Sequence, residues 1–178
     1  AGLQAGANNA DYRANVNRLA LFAQDEWQIT KQYSLYLGLR HERLDTASRA
    51  SASNAPDALN ASSSVWSPSL QSRWQLANKD VLRLALSRTY KAPPLVKLVP
   101  RRYTSDNNNN PTNPDEQGNP HLRPELAWGM DAAYEHYLSD GALLSASTYL
   151  RRIRDVTQSR LFQQDGAWVE APFNDGNA

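Results

Sequence analysis

The sequence predicts an all-β chain: a segment of an antiparallel, up-and-down transmembrane β-barrel with short turns at one end and long loops at the other. Three observations support this prediction. Several segments alternate large apolar residues with small or charged ones over eight or more positions, which is typical of strands. The polar connections between these segments alternate between short and long. Aromatic residues on the apolar parity lie near the segment ends, as in the aromatic girdles of membrane barrels.

Composition excludes several other classes of protein. The 178 residues include 19 basic and 18 acidic ones, so there is no charge surplus that would favour nucleic acid. Cysteine is absent, which excludes disulfides and thiolate metal sites. No apolar run reaches the ~20 residues of a membrane-spanning helix. The chain begins with Ala1 and its only methionine is Met130, so we expect an excised piece of a longer protein.

The predicted elements start after a polar lead-in at residues 1–17, and we place the barrel segment at 18–178. We expect about seven strands in it. The first four are RLALFAQDEWQI, YSLYLGLRHERL, VWSPSLQSRWQL and VLRLALSRTY; the fifth runs from Glu125 to Leu138, and another starts near Ala142. Pro68 lies inside the third, where it removes a backbone donor.

The connections set the predicted register. Residues 45–63 and 91–124 are long, rich in Ser, Asn, Asp and Pro, and we expect them to be loops. Short three-residue turns would pair the residues that flank them. The pairs expected on this basis are Ile29 with Tyr33, Ala77 with Val81, and Leu138 with Ala142. At the last turn, Asp140-Gly141 could instead form a two-residue turn that reverses the faces.

The spacing of the aromatic residues supports exposure to lipid. Trp66 and Trp74 are eight residues apart, which is ~26 Å of strand and ~20 Å of height at a tilt of ~40°. That height is close to the ~25 Å apolar band of membrane barrels. We place Tyr90 and Trp128 with Trp66 beside the long loops, and Trp74 beside the short turns. Asp25 is the exception on this parity.

The opposite parity carries both basic and acidic residues, which would face a water-filled lumen. We expect them to form ion pairs with one another or with a plug. These residues are Arg40, Glu42, Arg73, Arg83, Asp131, Glu135 and Arg151. A soluble or surface β-sandwich that binds carbohydrate or protein is the alternative, with the apolar face covered by a second sheet. A barrel hydrolase would need Ser or Thr beside a histidine, and only His41 approaches this. Since the three histidines have no ligand spacing, we expect no enzyme, metal site or cofactor.

Five stretches together resemble the barrel of TonB-dependent outer-membrane receptors. They are LALFAQDEWQITKQYSLYLGLRHERLD, LSRTYKAPPLVKL, NPHLRPELAWGMDAAYEHYL, YLRRIRDVTQSRL and PFNDGNA, and they occur in family order. The resemblance covers roughly residues 18–178. It implies a place in the bacterial outer membrane, in contact with lipid and lipopolysaccharide, within a ~22-stranded barrel closed by an N-terminal plug.

The resemblance also implies energy-coupled uptake of a scarce nutrient. Such receptors import ferric siderophores, haem, cobalamin or carbohydrates, and contact the inner-membrane TonB complex through the plug and its TonB box. We recognise neither plug nor TonB-contacting segment in this sequence. A ferric siderophore is the expected small-molecule ligand. Lys97, Arg101, Arg102 and Tyr103 are the candidates for contacting it, because cations and an aromatic ring suit carboxylates and catecholates.

Overall fold

Strands in two sheets make up most of the computed structural model, which describes residues 12–50, 59–139 and 141–178. The elements are β1 Tyr12–Thr30, β2 Tyr33–Ala50, β3 Leu59–Ala77, β4 Asp80–Lys91, α1 Leu95–Leu98, β5 Arg102–Tyr103, β6 Asp115–Gln117, β7 Glu125–Ser139, β8 Ala142–Arg154, β9 Val156–Gln164 and β10 Ala167–Gly176. β1 thus begins six residues before the predicted boundary at residue 18. Among the described residues, no helix has the length and apolarity to cross a membrane.

The main sheet has the order β1-β2-β3-β4-β7-β8, and every neighbouring pair is antiparallel. Each strand therefore lies beside its predecessor in the chain, except that β7 follows β4 after the long connection. This is the predicted up-and-down arrangement, and the sheet is not closed. Six strands belong to it; the chain after β8 forms a hairpin in a second sheet.

The three hairpin turns are tighter than predicted. The closing pairs are Thr30–Tyr33, Ala77–Asp80 and Ser139–Ala142, so each turn has two residues and the prediction of three-residue turns is wrong. A bulge next to each closing pair inserts one extra residue, Ile29, Leu76 or Leu138. The extra residue restores the parity, and the predicted assignment of side chains to the two faces is therefore retained.

The connection predicted at residues 45–63 is mostly strand. β2 and β3 remain paired as far as Ser48 and Leu59, and they contain 18 and 19 residues. Since 9–11 residues suffice for a strand that crosses a bilayer, each strand of this hairpin is nearly twice as long as a membrane crossing requires. Pro68 lies opposite Leu39, and the β3–β4 ladder ends at the adjacent pair Ser69–Ser87. The missing N–H of Pro68 accounts for the end of the ladder there.

One face of the main sheet exposes large apolar side chains. Leu70, Leu84 and Met130 are 37%, 44% and 53% exposed, and Leu35 and Leu37 are half-buried. In the described part of the chain, no second layer covers this face as a β-sandwich would require. Among the described residues, full burial of a large apolar side chain occurs elsewhere, at Val169 in β10.

A second sheet, β5-β6-β10-β9, organises the long connection between β4 and β7. β6 pairs with β10 in parallel, with Asp115 beside Val169. β9 and β10 form a hairpin around Asp165 and Gly166, which both have positive φ. Residues 91–124 are therefore not a featureless loop, because β5 and β6 attach them to the last hairpin.

Candidate functional site: the polar face and the loop sheet

The polar face of the main sheet contains every charged residue predicted to face a lumen. Register places Arg73 beside Arg83, Ala85 beside Asp131, and Gly129 beside Arg151. A cavity of about 370 Å³ lies over the middle of this face. It is lined by polar and small residues that include Glu26, Tyr36, Gln71, Arg73, Arg83, Asp131 and Ser147. The face can therefore hold water and polar groups.

Two ion pairs cross neighbouring strands on this face. Arg83 lies 2.8 Å from Glu135, and Arg151 lies 3.0 Å from Asp131. Their side chains are partly exposed, so water screens the attraction within each pair. Arg73 forms no ion pair with the carboxylates that the structure describes, although it stands directly beside Arg83.

A more buried cluster surrounds Glu42 towards the long-loop end. Its carboxylate pairs with Arg40 and with Arg18, and accepts a hydrogen bond from the hydroxyl of Tyr90. The prediction that Tyr90 belongs to the upper aromatic girdle is therefore wrong. A buried carboxylate requires donors, and Tyr90 can reach it because it lies beyond the last β3–β4 pair, Ser69–Ser87.

The loop sheet brings part of the predicted ligand site together. Lys97 and Tyr103 line one cleft of about 260 Å³, which Glu116 and Glu170 also line. The guanidinium of Arg101 lies 4.6 Å from the centre of the Tyr103 ring, a cation–π contact. Arg101 therefore lies beside the cleft through its contact with Tyr103, and the two carboxylates make the charge of the cleft mixed.

Arg102 has a different environment, because successive strand residues point to opposite sides. Its Nε donates to Asp115 over 2.8 Å. Asp115 is 5% exposed, and it also accepts from the backbone N–H of Ser105 and from the Asn109 amide. Asn109 in turn exchanges two hydrogen bonds with the Trp168 backbone. These contacts join β5, β6 and β10.

The acidity of Asp115 follows from these contacts. Burial raises the pKa of its carboxyl, but the N–H of Ser105 together with Arg102 and Asn109 outweighs burial and holds the pKa below its usual value. The sequence predicted residues 91–124 to be a loop, and this cluster was missed. Asp115 is buried by the parallel pairing of β6 with β10, and this pairing has no signature in the local sequence. Among the described residues, no group of carboxylates and histidines could hold a metal ion.

Comparison with known proteins identifies the architecture. Residues 1–171 match the family described as TonB dependent receptor-like, beta-barrel. The chain belongs to this family. The apolar face of the main sheet is therefore the lipid-facing surface of a transmembrane barrel, and the polar face lines its lumen. The family is one of receptors and transporters rather than enzymes.

Solved structures show the same fold at low identity. The siderophore receptor PirA from Pseudomonas aeruginosa has a TM-score of 0.59 and 13% identity over 94% of this chain and 38% of its own. The copper transporter OprC has a TM-score of 0.65 and 18% identity, over 90% of this chain and 24% of its own. The FrpB iron transporter from Neisseria meningitidis has a TM-score of 0.64 and 17% identity, over 96% of this chain and 23% of its own.

The chain therefore spans less than two fifths of each of these structures. A search of curated proteins found no match.

Proposed function

We propose that this chain forms part of an outer-membrane, TonB-dependent receptor that imports a ferric siderophore. Family membership over residues 1–171 is the observation that carries the proposal. A siderophore receptor and an iron transporter share its fold, and a copper transporter widens the range of substrates to be tested. Coupling to the inner-membrane TonB complex, through a plug and its TonB box, belongs to the same proposal.

The loop cleft is where we place ligand capture. Lys97 and Arg101 offer two cations, and Tyr103 offers an aromatic face already in contact with Arg101. Catecholate and carboxylate oxygens accept charge-assisted hydrogen bonds from such cations. Arg102 contributes through Asp115, because this ion pair holds β5, and with it Tyr103, against β6. Glu116 and Glu170 line the same cleft, so the cations and the aromatic ring have to outweigh their repulsion of an anionic ligand.

The test is uptake by the full product of the gene in a strain lacking its own ferric-siderophore receptors. We expect Lys97→Gln with Arg101→Gln to raise the apparent KM for a radiolabelled ferric catecholate by about tenfold or more, since a hydrogen bond to a charged group contributes about 1.5–3 kcal/mol. Lys31→Gln is the matched control, because Lys31 lies exposed in the β1–β2 turn at the opposite end.

Each element of the proposal has its own negative result. An unchanged KM in the double variant would contradict the assignment of ligand binding to the cleft. Uptake that persists after deletion of TonB would contradict energy coupling. Import of copper(II) or haem without any import of ferric catecholate would support a receptor but contradict a siderophore as its ligand.

A further inference from the structure

Asn119 connects the two walls of the loop cleft. One wall is the segment that carries Lys97, and the other is β10, where Glu170 and Pro172 line the cleft. The backbone N–H of Asn119 donates to the carbonyl of Lys97 over 2.7 Å, and its side-chain amide donates to the carbonyl of Pro172 over 2.9 Å. Asn119 does not line the cleft itself. One residue outside the cleft therefore holds a residue of each wall.

The side chain of Asn119 uses both of its polar atoms. Its Nδ2 donates to Pro172, and its Oδ1 accepts from the backbone N–H of His121 over 2.9 Å. The carbonyl of Asn119 accepts from the N–H of Leu122 over 3.3 Å. These contacts close a turn in which the asparagine side chain is held in one orientation. An amide suits this position because it donates on one side and accepts on the other.

Asn119 continues the contact with β10 beyond the end of the backbone ladder. The parallel ladder of β6 with β10 has two pairs and ends at Glu116. The chain then approaches the segment before β5, since the N–H of Gly118 donates to the carbonyl of Arg101 over 3.3 Å. A Cβ atom at Gly118 would lie 1.9 Å from the carbonyl oxygen of Val99, so glycine is required for this approach. Asn119 follows directly and reaches back to β10 through its side chain.

A second asparagine joins the same two loops away from the cleft. The Asn174 side chain accepts from the N–H of Arg123 over 2.7 Å and donates to the carbonyls of Arg123 and Asp155, over 3.0 and 2.7 Å. None of these three residues lines the cleft. Two of the three hydrogen bonds join the loops, against one from the Asn119 side chain. Comparing the two asparagines therefore separates control of the cleft from general stabilisation of the loops.

We propose that Asn119 is a positioning residue for ligand capture, because it sets the width of the cleft between Lys97 and Pro172. A hydrogen bond from a cation depends on the distance and the angle to its acceptor. Lys97 has to reach ligand oxygens while the ligand rests against β10, so a displaced wall weakens this contact. The inference rests on the proposed function, since the width matters to uptake only where a ligand binds in the cleft. Asn119 acts through Lys97 and Pro172 and does not touch the ligand.

Asn119→Asp tests this role with a side chain of the same size. Aspartate keeps the oxygen that accepts from His121 but cannot donate to the carbonyl of Pro172. In the full product of the gene, we expect the apparent KM for a radiolabelled ferric catecholate to rise about fivefold with an unchanged maximal rate. That change corresponds to about 1 kcal/mol, the contribution of one hydrogen bond. Asn174→Asp is the matched control and should leave KM unchanged, although it removes two donated hydrogen bonds.

A distance measurement tests the width of the cleft without transport. Spin labels at Leu95→Cys in α1 and Leu161→Cys in β9, both exposed positions, report the separation of the two walls in the purified full product of the gene. We expect one narrow distance distribution in the labelled receptor and a broader one when Asn119→Asp is added. Asn174→Asp should leave the distribution as narrow as before.

Each result decides one part of the inference. An unchanged KM in Asn119→Asp, or an equal rise in both aspartate variants, would overturn the positioning role. A distribution that stays narrow in Asn119→Asp would overturn it as well. If the receptor imports no ferric catecholate while Asn119→Asp still broadens the distribution, the proposed function fails alone and the control of the cleft by Asn119 stands.

Discussion

Asp115 shows how one side chain connects distant parts of the chain. It lies in a short strand of the loop sheet, and its oxygens accept donors from Arg102, Ser105 and Asn109. Breaking a buried charge network is costly because the remaining partner keeps its desolvation penalty. The conformation of Arg101 and Tyr103 at the cleft therefore depends on a carboxylate that does not line the cleft.

The low pKa of Asp115 predicts acid sensitivity of the loop sheet. A carboxyl whose pKa is depressed in the native state stabilises it above the unfolded pKa of about 3.9. That contribution is lost as the pH falls through the native pKa. Hydrogen-exchange protection of residues 102–117, corrected for intrinsic exchange, should therefore be constant from neutral pH to about pH 4 and then decrease.

Two variants test this assignment. Asp115→Asn should lower protection at neutral pH and remove the acid step, whereas Asp106→Asn, at an exposed position in the same loop, should leave both unchanged. If Asp115→Asn still lost the same amount of hydrogen-exchange protection at acid pH, another titrating group would be the cause.

At the scale of the element, turn chemistry decides how strands pair. The two-residue turns with adjacent bulges keep the apolar residues on one face although the turn length differs from the prediction. The β9–β10 hairpin uses another solution, because Asp165 and Gly166 have φ of 52° and 78°. Two consecutive positive φ values match the type I′ turn, for which Asp-Gly is a preferred sequence.

Gly166→Ala should destabilise this hairpin by about 1 kcal/mol. A Cβ atom at Gly166 would have no heavy atom within 4 Å, so backbone strain is the sole cause. Asp165→Gly is the control and should change stability by less than about 0.5 kcal/mol, since glycine tolerates the same φ. Hydrogen exchange of residues 156–176 measures both variants. Equal protection of wild type and Gly166→Ala would contradict the turn assignment.

At the scale of the whole molecule, the two sides of the main sheet face different environments. The lipid-facing side exposes Leu84 and Met130, and the other side carries the ion pairs of the lumen. An open sheet edge cannot remain unpaired within a bilayer. The β1 and β8 edges therefore require further strands, which agrees with the longer chains of the related barrels.

Met130→Arg should lower the free energy of unfolding of the full gene product in phosphatidylcholine vesicles by about 1–3 kcal/mol, because Met130 lies two residues from Trp128, between the midplane, where a cation costs about 2–4 kcal/mol, and the interface, where it costs about 0–1 kcal/mol. Ser147→Arg places the same charge on the lumenal face and should cost less than about 1 kcal/mol, because that face is wet. Urea titration of the barrel, followed by tryptophan fluorescence, compares the two. A similar loss in both variants would argue against lipid contact at Met130.

Part of the candidate site could be predicted from sequence. Alternation placed Arg73, Arg83 and Glu135 on one face because strand geometry fixes which side each residue takes. Loop composition suggested Lys97 and Tyr103, which share a cleft. The Asp115–Asn109–Trp168 contacts could not be predicted, because they join residues up to 59 positions apart. Their partners are chosen by the packing of two short strands that carry no periodic pattern.

Sequence alone predicted the strands of the main sheet and their faces, since period-two alternation and turn residues act locally, and its motifs carried the resemblance to the family. Tertiary structure decided the length of the β2–β3 hairpin, the direction of Tyr90 and the loop sheet. In each case, a polar group or strand edge found a partner distant in sequence. The physical reason is that burial forces every donor and acceptor to be satisfied, and only the folded chain determines which partners lie within reach.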